Sequence, residues 1–320
     1  MSDQIPIKTF VNKSQIFPGF FLAKSGIKFS NDSGKSRLIR GFGFSKNKEQ
    51  AVISSQFETL EHFYATYDFN QNFIKKENVF RGLNLKNGAE RAFVPSEVVL
   101  GPLSAEIGKV ADANGLGCHI FYERAVEHGI LEIIERHFLA QIWYGSTLVV
   151  EIPEICSIIS SFRIRVFTPY IPSVPMAIAI IDNLQDGIWA LGSAARISME
   201  EAIEHAIQEA MMLIESSSIE KGFYYSKEIE CRILSLRNRN MSKLRKEFFE
   251  SKITKCEKQL FQLHMQLDKM ISFILDLEEI WIVDFFKSEK LNVIRAVCAA
   301  AKNPRWLRTC NLIIPEDPFC

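Results

Sequence analysis

The feature that most constrains the fold is a pattern that recurs in three segments of the chain. Each segment begins with glycine or other small residues, passes through a polar turn and enters a stretch of helical character; the segments are residues 41–63, 114–138 and 192–215. In each, an alanine precedes a glutamate by seven positions: Ala51 and Glu58, Ala125 and Glu132, Ala202 and Glu209. Since seven residues make nearly two helical turns, each pair shares one face. The pattern predicts three related helices, each with a carboxylate at an equivalent place.

The same helix faces carry further polar residues. Glu61 and Glu135 follow the first two glutamates by three positions, which sets them beside those glutamates on the helix surface. Ser54, His128 and His205 stand four positions before the key glutamates. The neighbouring positions are apolar: Ile53, Phe57, Leu60, Ile130, Leu131, Ile133, Ile134, Ile203 and Ile207. We therefore expect largely buried helices whose glutamates face inward.

Strands and a charged helical region complete the predicted organisation. Residues 162–182 and 280–300 each read as an apolar strand, a polar turn and a second apolar strand. Helices that alternate with such strands predict a mixed α+β fold. Residues 217–278 lack proline and repeat apolar residues at helical spacing, which predicts amphipathic helices set into the main body. We interpret residues 1–320 as one domain, with residues 1–37 as an N-terminal strand and turn region.

Five glutamates that face inward need a cationic partner, because desolvating an unpaired charge costs several kcal/mol. Arg124 and Arg136, on the second helix, are one source of positive charge. A divalent cation such as Mg²⁺ is the other, since it takes oxygen ligands and bridges carboxylates to phosphates. Asp112 and Asn114, in the loop before the second helix, would add oxygen donors. Spacing alone leaves both interpretations open.

Other recurring sites find no support in the sequence. Gly34-Lys35-Ser36 has the ending of a phosphate-binding loop, but Phe29 stands where that loop needs its first glycine. The six histidines form no His-x-x-x-His pair, and no cysteine is placed to complete a zinc site. There is no Gly-x-Ser-x-Gly, and Cys118, which we place in a glycine-rich loop, has no visible base partner.

Composition excludes several classes of partner. Lys and Arg together number 38, as do Asp and Glu, so the net charge of +0 provides no field that attracts nucleic acid or an anionic membrane. The N-terminus lacks the order of a signal peptide, and no apolar run reaches membrane-spanning length. The seven cysteines are scattered without a Cys-x-x-Cys pair, as is typical of reduced thiols. We expect a cytoplasmic protein.

Together the three segments resemble the YcaO family. The stretches that carry the resemblance are AVISSQFETLEHF, DANGLGCHIFYERAVEHGILEIIERHF and EEAIEHAIQEAMM, joined by the strand pair VFTPYIPSVPMAIAIID. The middle stretch is the longest and most specific, and the likeness extends from near residue 38 to the C-terminus. The resemblance implies a YcaO-like fold with an ATP site that has no phosphate-binding loop.

The resemblance also implies roles for individual residues. By position, Glu58, Glu61, Glu132, Glu135 and Glu209 would hold Mg²⁺, and three of them, Glu58, Glu132 and Glu209, would also contribute to nucleotide binding. Asn114, Ser54 and Arg136 match positions close to the phosphates, and Arg136 is also a candidate catalytic residue. The chain departs from the family at His62, where arginine is expected, at His137, where an acidic residue is expected, and at His205, where glutamine or a similar residue is common.

The activity implied by the resemblance is ATP-dependent activation of backbone amides in a ribosomally made precursor peptide. Cyclodehydration of Cys, Ser or Thr to thiazoline or oxazoline is the leading expectation. Peptide thioamidation with external sulfide and a non-catalytic YcaO-like scaffold subunit are the alternatives. Pro315 and Pro318 resemble the proline-rich tail of azoline-forming relatives, in which the terminal carboxylate, here on Cys320, would act as a general base.

The expected partners follow from the position of the motifs. They begin near residue 41, so we expect leader recognition by a partner subunit, either a ubiquitin-activating-enzyme-like or a TfuA-like protein. The basic stretch Arg232–Lys246 is either its docking face or an ordinary solvated helix. A homodimer is a further arrangement that the sequence leaves open, and the sequence does not identify the peptide, the modified residue or a subsequent oxidase.

Overall fold

The structure of the chain is a computed structural model that describes residues 6–30, 36–66, 70, 76–77, 79–100, 113–159, 161–170, 175–183, 185, 189–218, 239–254, 280–299 and 301. Strands and helices alternate irregularly along this part of the chain, and the mixed α+β class expected from the sequence is confirmed. The strands are β1 (Lys8–Lys13), β2 (Phe21–Ser30), β3 (Ser36–Ser45), β4 (Phe80–Asn84), β5 (Glu90–Phe93), β6 (Leu116–His119), β7 (Val149–Glu151), β8 (Ser157–Ile159), β9 (Phe162–Pro169), β10 (Met176–Asn183), β11 (Trp189–Ala195), β12 (Ile253–Thr254), β13 (Ile280–Lys287) and β14 (Asn292–Cys298). The helices are α1 (Lys48–Ala65), α2 (Pro95–Val98), α3 (Tyr122–Tyr144), α4 (Met199–Ser218) and α5 (Arg239–Glu250), with a 3₁₀ turn at Pro153–Ile155.

The chain divides into two compact units, and the boundary falls inside α3, after Ile133. The first unit comprises Met1–Ser14, Gly19–Ile133 and Ile274–Ala300. The second comprises Gln15–Pro18, Ile134–Phe273 and Ala301–Cys320. The organisation of residues 1–320 as one domain stays a prediction.

Two antiparallel sheets and α1 form the framework of the first unit. One sheet has the order β1-β2-β3 and the other the order β5-β4-β13-β14-β6. Helix α1 begins where the side chain of Asn47 accepts hydrogen bonds from the N–H groups of Glu49 and Gln50, a typical N-cap. It packs on β2 and β3 and also contacts β6 and β14. Glu58 and Glu61 lie on this helix and are thereby brought to the sheet.

The second unit is organised around a six-stranded sheet. Its order is β11-β10-β9-β7-β12, with β8 paired to β9, and only the short pair of β7 and β12 is parallel. Every residue of β10 and β11 is buried, in keeping with their runs of alanine, isoleucine and leucine. Helix α4 packs on these two strands, so that Glu209 faces the sheet.

Both predicted strand–turn–strand segments are confirmed as antiparallel hairpins, β9 with β10 and β13 with β14. The predicted helical region contains α5, but the structure differs at Ile253–Thr254, where two β-branched residues extend the sheet beside Val149 and Val150. Residues 219–238 and 255–279 lie outside the described residues.

The Gly-Lys-Ser stretch joins two strands rather than a strand and a helix. Strands β2 and β3 pair antiparallel up to Ser30 and Ser36, although Gly34 and Lys35 themselves are outside the described residues. A phosphate-binding loop requires a helix after it, so the exclusion of that motif agrees with the fold. None of the described helices is long and apolar enough to cross a membrane.

Candidate functional site

Two predicted ligands, Glu58 and Glu132, lie within electrostatic reach of a third, Glu61, in the first unit. The pKa of Glu61 is raised well above its usual value, first by burial and then by the negative charges of Glu132 and Glu58. Glu58 is itself held by the backbone N–H of Phe42, which donates to its Oε2 at 2.7 Å. Among the residues that the structure describes, no hydrogen-bond donor or cation pairs with Glu61. Burial and the charges of Glu132 and Glu58 therefore destabilise the charged form of Glu61.

Such a set of carboxylates fits a divalent cation, because positive charge would offset the burial of Glu61 and its repulsion by Glu132 and Glu58. Oxygen-only donors match Mg²⁺ better than a softer metal. Within the described residues, no three histidine, cysteine or acidic side chains are arranged as a ready-made metal cluster. The residues thus have the chemistry that the prediction requires, and their role as Mg²⁺ ligands stays a prediction.

The surroundings of Glu61 do not supply a nucleophile. Cys118 lies in strand β6, not in the loop where the sequence analysis placed it, because the small residues around it allow close packing on a helix. Burial raises the pKa of the Cys118 thiol far above its usual value, and the charge of Glu61 raises it further. Burial also lowers the pKa of His62, which favours a neutral ring. Neither side chain is suited to act as an activated nucleophile or a phosphate-binding cation.

In the second unit, Ser193 of β11 connects the other two predicted ligands. Its hydroxyl donates to Oε1 of Glu135 at 2.7 Å, and its backbone N–H donates to Oε2 of Glu209 at 2.7 Å. Ser193 and Glu135 are both buried. Arg136 is half-buried, and its guanidinium lies 3.5 Å from Glu135. The interpretation in which arginine neutralises the glutamates therefore holds for Glu135, whereas the partner of Arg124 is Glu127, at 2.8 Å.

The first and third repeats place their glutamates by the same device. In each, a strand N–H donates to a helix carboxylate sixteen residues later, from Phe42 to Glu58 and from Ser193 to Glu209. The glycine just before each donor, Gly41 or Gly192, lies so close to the helix backbone that a Cβ atom would overlap it. Glycine at these positions therefore brings strand and helix within hydrogen-bonding distance.

The remaining predicted residues have more open surroundings. Ser54 is half-buried and accepts a hydrogen bond of 3.4 Å from Gln50 Nε2. Asn114 is half-buried in the turn before β6, next to Gly115, whose φ of 78° favours glycine. His128 and His205 are exposed, whereas the glutamates four positions after them, Glu132 and Glu209, are half-buried. Asp112 and Cys320 lie outside the described residues.

Sequence reasoning missed the donors on the strands. Phe42 acts through its backbone, which no pattern of side chains indicates. Ser193 acts through both its backbone and its hydroxyl, and the available signal was its place in a run of small residues directly before the third helix. The sixteen-residue separation between the residue that follows the glycine and the glutamate is visible in the sequence once the contact is known.

Comparison with known proteins identifies the class to which this fold and site belong. A family model described as YcaO cyclodehydratase, ATP- and Mg²⁺-binding, matches residues 75–315. The chain therefore belongs to the YcaO family, and ATP and Mg²⁺ are confirmed as the cofactors expected from the sequence. A search of curated proteins finds no match.

Several solved structures share the fold. YcaO from Methanopyrus kandleri, bound with AMPPCP and Mg²⁺, is similar with a TM-score of 0.61 and 14% identity over 97% of this chain and 90% of its own. A heterocyclase in complex with substrate and cofactor gives a TM-score of 0.69 and 12% identity over 93% of this chain, which spans 50% of the heterocyclase. The E. coli microcin synthetase McbBCD complex gives 0.61 and 12%, covering 91% of this chain and 86% of the matched chain.

Proposed function

We propose that this protein is an ATP- and Mg²⁺-dependent enzyme that modifies backbone amides of a ribosomally made precursor peptide, with cyclodehydration of Cys, Ser or Thr to thiazoline or oxazoline as its reaction. The observation that carries the proposal is the electrostatic interaction of Glu61 with Glu58 and Glu132. Membership of the YcaO family and likeness to a heterocyclase and a microcin synthetase support it.

The residues of this chain would act by binding and orientation. ATP supplies the phosphoryl group that turns the amide oxygen into a leaving group, and Mg²⁺ offsets the phosphate charge. In our proposal, Glu58, Glu61 and Glu132 of the first unit and Glu135 and Glu209 of the second hold Mg²⁺. Three of these carboxylates, Glu58, Glu135 and Glu209, accept hydrogen bonds from strand residues. Rigid carboxylates suit a reaction in which positioning and charge neutralisation are the enzyme's main contributions.

Further residues have proposed roles beside the carboxylates. Arg136, Asn114 and Ser54 would contact the phosphates, and Arg136 keeps its position through Glu135. The terminal carboxylate of Cys320 would accept the proton released when the nucleophile of the peptide adds to the amide. A separate subunit, ubiquitin-activating-enzyme-like or TfuA-like, would present the precursor peptide. The reduced thiols expected from the sequence are consistent with work in the cytoplasm.

Nucleotide binding is the first test. Titration calorimetry of the whole chain with AMPPCP and Mg²⁺ should give saturable binding that Glu132→Gln and Glu209→Gln each weaken at least tenfold. Glu127→Gln and Glu204→Gln are matched controls, because both residues lie on the same two helices and pair instead with Arg124 and Gln208. Wild-type protein that binds no nucleotide, with or without Mg²⁺, would refute the proposal and leave the scaffold interpretation.

Mass spectrometry then separates the reactions. Cyclodehydration removes one water molecule from the peptide per ring, whereas thioamidation replaces an amide oxygen with sulfur and needs sulfide. The candidate peptide and partner subunit should be incubated with the enzyme, ATP and Mg²⁺, with and without sulfide. Water loss without sulfide supports azoline formation, and a product that forms only with sulfide contradicts it.

A further inference from the structure

We propose that Ser193 is a positioning residue that fixes Glu135 and Glu209 in the geometry needed to hold Mg²⁺. The inference rests on the proposed function, since it assigns Ser193 a task at the same carboxylates. No motif in the sequence analysis singled out this serine. It emerges from the hydrogen bonds of the second unit.

One residue makes two different hydrogen bonds to two carboxylates. The hydroxyl of Ser193 donates to Oε1 of Glu135, and the N–H of the same residue donates to Oε2 of Glu209, both at 2.7 Å. The two glutamates lie on different helices and are far apart in sequence, so neither helix alone sets their relation. Hydrogen bonds to a charged carboxylate are short and about twice as strong as neutral ones. Ser193 therefore fixes one oxygen of each carboxylate.

Burial makes this arrangement rigid. Ser193 is 4% exposed and Glu135 6% exposed, so water has little access to compete for either group. Ser193 lies within β11 between Gly192 and Ala194, which are also buried. It pairs in register with Ile178 of β10. The strand thus fixes the backbone of Ser193, and the short side chain places the hydroxyl close to its Cα atom. A carboxylate bound to such a donor has little freedom to turn.

Each carboxylate accepts a hydrogen bond from Ser193 through one of its two oxygens. Only Oε1 of Glu135 and Oε2 of Glu209 accept from Ser193. Partners that orient a metal-binding carboxylate typically contribute 10- to 100-fold, or about one to two orders of magnitude, to metal affinity. The first unit provides a comparison, because Phe42 fixes Glu58 through its N–H alone. At Ser193 the hydroxyl adds a hydrogen bond to a second carboxylate, that of Glu135.

Removal of the hydroxyl tests the proposal. Ser193→Ala keeps the N–H bond to Glu209 and loses only the bond to Glu135. We expect its apparent Mg²⁺ affinity, measured by calorimetric titration of Mg²⁺ into protein with saturating AMPPCP, to fall about tenfold or more. Ser193→Thr restores a hydroxyl on a residue suited to strands and should recover most of the affinity. Ser216→Ala is the matched control, since its hydroxyl binds only the Met212 carbonyl of its own helix.

A double-mutant cycle separates positioning from a general loss of structure. If Ser193 acts through Glu135, then Ser193→Ala should weaken Mg²⁺ binding much less in a Glu135→Gln background than in the wild type. The melting temperature without Mg²⁺ and nucleotide reports on the stability of the fold alone. The rise in melting temperature when Mg²⁺ and nucleotide are added should be smaller in Ser193→Ala than in the wild type. If Ser193→Ala does not fold, Ser193→Cys, with its weak donor, should give an intermediate affinity.

The outcomes distinguish the two proposals. Two results would overturn the role of Ser193 and leave the proposed function intact. One is that the wild type binds Mg²⁺ and nucleotide and Ser193→Ala binds them with the same affinity. The other is that Ser193→Ala loses as much Mg²⁺ affinity in the Glu135→Gln background as in the wild type. Absence of Mg²⁺–nucleotide binding in the wild type overturns both, because Ser193 would then have nothing to position. A loss that Thr restores and Glu135→Gln suppresses supports the inference.

Discussion

The close approach of Gly192 to α4 gives the sharpest quantitative prediction. An alanine Cβ at this position would lie 2.5 Å from the backbone N of Ala210 and 3.0 Å from Glu209 Cβ, and it would overlap the carbonyl oxygen of Ala206. Because non-bonded carbon contacts are optimal at about 3.5–4.0 Å, strand and helix would have to separate by about 1 Å. The atoms in the way are mostly backbone, so no side-chain rotation relieves the overlap.

We expect Gly192→Ala to lower the free energy of unfolding by about 3 kcal/mol, the upper end of the usual cost of overpacking. At roughly 2–4 °C per kcal/mol, the melting temperature should fall by about 6–12 °C. The separation should also lengthen the bond from Ser193 to Glu209 and weaken Mg²⁺–nucleotide binding. Urea denaturation and calorimetric titration of the variant measure the two effects.

Gly88→Ala is the matched control. Gly88 has a φ of 70° and open space where a Cβ would stand, so alanine should cost only about 1 kcal/mol, from the left-handed backbone. Gly41→Ala should behave like Gly192→Ala, because its Cβ would lie 2.5 Å from the backbone N of Thr59 and overlap the Ser55 carbonyl oxygen. If Gly192→Ala and Gly88→Ala are equally stable, the close approach does not govern the packing of α4 and the reasoning fails.

Three further variants test the electrostatics of the two units. Glu61→Gln should stabilise the Mg²⁺-free chain at pH 7 by about 0.5–2 kcal/mol, because a carboxyl with a raised pKa destabilises the folded state at any pH above its usual pKa of about 4.3. The same variant should weaken Mg²⁺ binding, and a lower stability of the variant in urea without Mg²⁺ would contradict this reasoning. Burial alone would raise the pKa of Asp182, but hydrogen bonds from Arg163 and Lys246 outweigh it, so the pKa is lowered. The stability that Asp182 contributes is therefore present above its ordinary pKa of about 3.9 and is lost as the pH falls through the lowered pKa of the folded state. Asp182→Asn should cost about 1–2 kcal/mol at pH 7, and urea unfolding at decreasing pH should show the cost shrinking. Glu215 accepts hydrogen bonds from the backbone N–H groups of Gln15 and Ile16, so Glu215→Ala should reduce their protection from hydrogen exchange and lower the free energy of unfolding by about 1–3 kcal/mol. Glu215→Gln keeps an acceptor and should retain part of that protection.

The helices were predictable because their signal is local. The three repeated segments predicted helices that the structure places at Lys48–Ala65, Tyr122–Tyr144 and Met199–Ser218. Alanine and glutamate seven positions apart share a face whatever the tertiary structure. The two hairpins were equally clear, because two apolar runs around a short polar turn have few other ways to bury their surface.

The strands before these helices were not predictable from the same pattern. Glycine and small residues indicate turns when read locally, yet here they form β3, β6 and β11. Strand structure is favoured there because small residues let a helix lie directly on the sheet, and that advantage depends on the packing rather than on the propensity of each residue. The pair of Ser193 and Glu135 was hidden for a related reason, since 58 positions separate the two residues in sequence.

The sixteen-residue separation between the strand N–H and the glutamate explains why the repeat includes both glycines and a glutamate. A backbone N–H sixteen residues before the glutamate can reach the carboxylate only if strand and helix nearly touch, and Gly41 and Gly192 permit that contact. The middle repeat has the same separation between Leu116 and Glu132, and there Gly117 lies so close to α3 that a Cβ atom would overlap the carbonyl oxygen of Ala125. The charge of Glu132 also acts on Glu61 of α1. Glycine thus sets a strand against its helix in all three repeats, and the position of the glutamate follows because it lies on the helix that this contact holds.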